Sequence, residues 1–160
     1  MTVSSSSKKG SRKARLSSAR LSAVQVIYQA MLDMDGRDLT DIIRDHLASD
    51  IVQSVDGEDL VTPDQESVSK IARGVETHRT HINTVIGNVF SSDKLAKEKL
   101  LKAILMCGVY EILYNTDVDA PIIISDYLNV THAFYDAGEA KLVNGVLDKV
   151  YKSVKDERAE

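Results

Sequence analysis

Lys8, Lys9, Arg12, Lys13, Arg15 and Arg20 put six positive charges into the first 20 residues, with no acid among them. Side chains of this type and density bind polyanions. An arginine takes a phosphate through two parallel N–H bonds and stacks on an exposed base. The other 140 residues hold 14 basic and 24 acidic side chains, a net charge of −10 that the overall −4 conceals. A basic arm on an acidic body points to a polyanionic partner for the arm. The plainer alternative is a solvated tail whose charge only aids solubility. Gln25 and Tyr28 follow the arm and would extend the surface with a hydrogen-bonding group and a stacking group. Core packing is an equal alternative for Tyr28, and a solvated polar face is the stronger one for Gln25.

Other chemistry is absent or weakly signalled. The eight glycines are never closer than seven residues, so neither a G-x-G-x-x-G dinucleotide loop nor a G-x-x-x-x-G-K-[ST] phosphate loop exists. His78 and His81 lie three apart on a predicted helix but have no H-E-x-x-H motif and no cysteine partner, so ordinary surface histidines fit them better than a metal site. Cys107 is the only cysteine. It excludes an internal disulfide, fits a reducing cytoplasm, and sits on an apolar helix face as a small hydrophobe. No pair of carboxylates stands out as an acid and base. The sequence therefore predicts no catalytic residue, no metal and no cofactor.

The elements that hold the arm read as helices. At 160 residues with 43% apolar and 28% charged side chains, the chain has the composition of one soluble domain. No apolar run reaches the roughly 18 residues of a membrane span. From Ser17, the residues Leu21, Val24, Ile27, Tyr28, Met31 and Leu32 recur at three and four, with Gly36 as the expected C-cap. Leu39, Ile42, Ile43 and Leu47 mark a second stripe. Thr62 is the expected cap of the next helix, with Pro63 at its first helical position and Gln65 completing the box. Ser91-Ser92-Asp93 caps another. Leu100 to Leu113, Pro121 to Phe134 and Leu142 to Val154 give the last three stripes. The expectation is all-α, with about six or seven helices, preceded by a disordered basic arm over 1–14 and followed by a polar tail over 156–160. The helical domain spans 15–155.

Two segments carry a resemblance. Residues 18–28 (SARLSAVQVIY) resemble the first helix of the NusB family of bacterial transcription antitermination factors, and residues 142–149 (LVNGVLDK) resemble its last helix. Tyr110-Glu111-Ile112-Leu113, Val118 and the stretch from Pro121 to Phe134 resemble the part between. The resemblance covers about residues 15–155, weakly over 35–95. Inside the last helix, Gly145 is expected to allow a close helix approach, and Asn144 to hydrogen-bond across it. The resemblance implies two packed antiparallel helical subdomains and no chemical reaction. It implies binding of the boxA element of nascent RNA together with NusE, a small-subunit ribosomal protein, and membership of an RNA polymerase antitermination complex with other Nus factors. By position it implies RNA contact at Arg15, Arg20 and the lysines before them, and at Tyr28, near the surface shared with NusE. Lys141 and Lys149 are further RNA candidates, and Gly138 and Glu139 fall in a loop near the RNA and NusE surface.

The chain departs from the family at Ile124-Ser125-Asp126, where Ile-Asn-Glu is common, and at Met106, where a basic residue is common. Phe134-Tyr135-Asp136 is its own version. Two other functions remain open on these residues. A NusB-like fold also forms the N-terminal domain of ribosomal RNA cytosine methyltransferases, and a purely protein-binding bundle would need the arm only as a tail. A homodimer is also open.

Overall fold

The computed structural model describes residues 10–49, 54–55, 58–59 and 61–159. Lys8 and Lys9 lie outside the described residues. Helix α1 (Arg12–Leu32) begins earlier than its apolar periodicity, because Ser11 Oγ accepts the Ala14 N–H at 3.0 Å and caps it. The disorder expected up to residue 14 is thus corrected: Arg12, Lys13 and Ala14 form the first helical turn. α1 is buried on every side from Ser18 to Val24, and again at Val26 and Ile27. A helix with this burial is central and not an amphipathic cover.

α2 (Leu39–Ala48) follows a turn in which Gly36 has φ +68°. Gly36 is not the C-cap expected of it. α1 ends at Asp33, whose carboxylate accepts the backbone N–H groups of Asp35 and Arg37 and shapes the turn. The two-residue strands β1 (Ser54–Val55) and β2 (Glu58–Asp59) pair antiparallel, with Val55 opposite Glu58. α3 (Gln65–Thr77) is capped by Asp64 and not by Thr62: Asp64 Oδ2 accepts the Ser67 N–H at 3.1 Å, and Pro63 lies just outside the helix. α4 (Arg79–Val89) continues from α3 after a break at His78. α5 (Asp93–Lys97) is capped by Ser92, as expected. α6 (Lys99–Tyr114), α7 (Ala120–Phe134) and α8 (Ala137–Ala159) complete the chain, with proline in the first turn of α7. The described residues hold eight helices, because the break at His78 divides a stripe that the sequence reads as one.

α1, α2 and α3 pack together, as do α6, α7 and α8, and contacts of α1 with α6 and α7 join the two groups. The shared core includes Val24, Ile27, Val68, Ile82, Leu101, Ile104, Leu105, Tyr127 and Leu147. Cys107 belongs to it, fully buried, and burial pushes its thiol pKa well up. The close helix approach expected at Gly145 occurs elsewhere. A Cβ at Gly145 would meet nothing within 4 Å, and Asn144 is exposed. A Cβ at Gly74 would lie 2.2 Å from the Tyr110 ring, so α3 and α6 meet there only because residue 74 has no side chain.

Candidate nucleic-acid interface

The cationic segment is presented by the N-terminus of α1. Arg12 and Lys13 are exposed on its first turn, which contains no acid. Among the described residues neither forms an ion pair within 4.0 Å. The positive end of the helix dipole adds to their field, so an anion is favoured here twice over. Arg15 is half-buried. Its Nη2 lies 3.7 Å from Asp64 Oδ1, and its Nε is buried with no protein partner. Hydrogen bonds from Ser67, with Arg15 and Arg12 nearby, hold the Asp64 carboxyl below its usual range.

Arg20 requires a correction. It is 5% exposed. Its Nε and Nη2 donate to Glu111 at 2.8 and 3.0 Å, and its Nη1 donates to Asp126 at 2.7 Å. Burial opposes its charge, but the Glu111 carboxylate outweighs that and raises the guanidinium pKa. Glu111 also accepts from Tyr127 Oη at 2.5 Å and Asn115 Nδ2 at 2.8 Å, and Asp126 accepts from Ser17 Oγ at 2.9 Å. Its Nε, Nη1 and Nη2 are all committed to the two carboxylates, so Arg20 serves as a clamp between α1, α6 and α7 and is not one of the freely exposed cations of the arm. Glu111 is the carboxylate that sequence reasoning passed over. Its signal was an acid in the middle of the apolar stripe from Leu100 to Leu113.

Further along α1, Gln25, Tyr28 and Gln29 line a concavity of about 380 Å³. Asp45, His46 and Ser49 of the α2 end, Leu100 of α6 and Phe134 of α7 close it. Tyr28 is half-buried against the core and also lines this concavity. Gln25 Oε1 and His46 Nε2 are buried without a protein hydrogen-bond partner. Burial lowers the His46 pKa, which keeps its ring neutral at pH 7. A lining with two aromatic rings, two amides and a neutral imidazole can stack on and hydrogen-bond to a base.

Gly138 and Glu139 lie in the first turn of α8 and not in the loop expected to hold them; Gly138 is exposed, and Glu139 pairs with Lys94 at 3.3 Å and so ties α8 to α5. Tyr135, just after α7, donates to Glu98 at 3.2 Å, and burial with that bond pushes its pKa up to about 12. The structure thus brings Gln25, Tyr28 and the end of α7 together. Lys141 and Lys149 are exposed on α8, which packs on α6, α7 and α4. Among the described residues no group of three or more His, Cys, Asp and Glu side chains could hold a metal ion. No described helix is long and apolar enough to cross a membrane.

The described residues form a helical bundle that presents exposed cations on the first turn of α1 and an aromatic-lined concavity further along that helix. The chain belongs to the NusB family, which matches residues 17–152. Its relatives include the transcription antitermination protein NusB of Rhizobium rhizogenes, 35% identical over 141 residues that cover 87% of each chain. This is a family of transcription antitermination factors and not of enzymes. Among solved structures, that of antitermination factors NusB and NusE in complex with double-stranded RNA superposes with a TM-score of 0.70 at 22% identity. It covers 86% of this chain and 96% of the other. Thermotoga maritima NusB gives 0.70 at 20% identity, covering 89% and 92%. At those identities the likeness concerns the fold.

Proposed function

We propose that this chain is a non-catalytic, cytoplasmic RNA-binding factor that recognises boxA of nascent ribosomal RNA together with NusE and joins the RNA polymerase antitermination complex. The family match over residues 17–152 carries this reading. The chain's own chemistry agrees with it. Arg12 and Lys13, with Lys8, Lys9 and Arg15, take backbone phosphates, and Gln25 and Tyr28 meet an unstacked base. Lys141 and Lys149 add weaker phosphate contacts. Tyr28, Gly138 and Glu139 border the surface that meets NusE. The acidic body opposes RNA, so the lone chain binds weakly, and a partner that brings its own basic surface strengthens binding by joining two patches on one strand.

Salt tests the arm directly. Each phosphate neutralised on a single strand contributes about −0.7 to the slope of log K against log salt, so five arm cations give about −3.5. Fluorescence-anisotropy titration of a boxA RNA should give that slope. Arg12→Gln with Lys13→Gln should reduce its magnitude to about 2. A slope unchanged by these substitutions would remove the arm from the RNA contact.

A further inference from the structure

A second concavity, of about 310 Å³, opens at the C-terminal end of α1. Arg79, Asn83, Lys99 and Lys102 line it beside Met31 and Met106, and no carboxylate does. Among the described residues none of the three cations has a carboxylate within 4.0 Å. Glu98, the acid next to Lys99, is drawn away by Tyr135 Oη at 3.2 Å. This grouping stands on a body whose other charged side chains are predominantly acidic.

Arg79 opens α4 and Lys99 opens α6. Neither first turn contains an acid, as is also true of α1 and α7. Three unpaired cations around one hollow repel each other until an anion arrives. The half-buried Met31 gives the hollow a polarizable thioether that suits an aromatic ring, with the buried Met106 beneath it. The Asn83 amide offers a donor and an acceptor to a base edge.

We propose that this concavity is a second nucleotide site for single-stranded RNA, in which Arg79, Lys99 and Lys102 hold phosphates and a base lies against Met31 and the Asn83 amide. The proposal rests on the RNA-binding reading above and extends the bound strand beyond the arm and Tyr28.

The test uses the full chain and an unstructured RNA long enough to reach both sites. Arg79→Gln, Lys99→Gln and Lys102→Gln together should weaken binding at least about fivefold at low salt. They should also reduce the salt slope by about 2, at about 0.7 per phosphate. A control with the same charge change, Arg73→Gln, Lys152→Gln and Lys155→Gln, should have less effect. In the unmodified protein, a 4-thiouridine RNA should crosslink to peptides containing Met31, Asn83 or Met106, a readout independent of whether the variant folds. If both triple variants bind alike and no crosslink maps there, this site is refuted while the arm reading stands. If the unmodified chain binds no RNA, with or without NusE, both readings fall. If a poly-glutamate peptide displaces the RNA crosslink at equal charge concentration, the hollow takes an acidic peptide and the nucleotide assignment is overturned.

Discussion

Glu111→Gln should destabilise this protein strongly, and the structure sets the scale. The carboxylate lies 1% exposed and accepts four hydrogen bonds: two from Arg20, one from Tyr127 and one from Asn115. Glutamine keeps the shape, but its NH₂ must face one pair of those donors, and it leaves Arg20 with Asp126 as its only buried counter-charge. Removing one partner of a buried ion pair costs about 3–5 kcal/mol. At about 2–4 °C per kcal/mol for a domain of this size, the melting temperature should fall by roughly 6–20 °C. Urea unfolding followed by circular dichroism gives the free energy. Converting the whole cluster to neutral groups (Arg20→Met, Glu111→Gln, Asp126→Asn) should recover most of the loss, because no charge is then stranded. The same variant should bind RNA within about twofold of the parent, since Arg20 is a clamp; this factor is well under the tenfold that about 1.4 kcal/mol represents. A loss below about 1 kcal/mol for Glu111→Gln would mean that the cluster is solvated. A large loss of RNA affinity in the stable neutral variant would return Arg20 to the RNA surface.

Two further outcomes follow from packing and burial. Gly74→Ala drives a methyl into the Tyr110 ring and should destabilise by about 1–3 kcal/mol, whereas Gly145→Ala meets open space in a helix and should stabilise by about 0.5–1 kcal/mol; thermal melts of the two variants separate them. His46 has a folded pKa below its ordinary 6.5, so its stabilising contribution is present above pH 6.5 and is lost as the pH falls from there towards the folded value. The fall in melting temperature between pH 7.5 and 5.5 should accordingly be smaller in His46→Gln than in the parent.

Local features were legible in the sequence where local physics decides them. The period of Leu100 to Leu113 gave a helix, Ser92 capped α5, and Cys107 among apolar neighbours lay in the core. Caps with two local contenders were misplaced. Asp64 displaced Thr62 because its carboxylate also gains the Ser67 hydroxyl and the nearby Arg15. The Asn-Gly pair at 144–145 looked like a packing device, but which side of α8 faces solvent is a tertiary fact. The Arg20 clamp was hidden for the same reason: its partners lie 91 and 106 residues away. Charge density along the chain groups Arg12 and Lys13 with Arg20, and only the fold separates the exposed pair from the buried clamp. Arg79, Lys99 and Lys102 went unnoticed because α4 and α6 supply them separately, and only the fold groups them.

The most direct test of RNA recognition is fluorescence anisotropy of boxA and scrambled RNAs with the full chain, with and without NusE, at one fixed salt concentration. The account predicts a preference for boxA that is small for the chain alone and grows by at least tenfold, about 1.4 kcal/mol, when NusE is present. Equal, feeble binding of both RNAs under both conditions would contradict it and leave a helical bundle that binds protein alone.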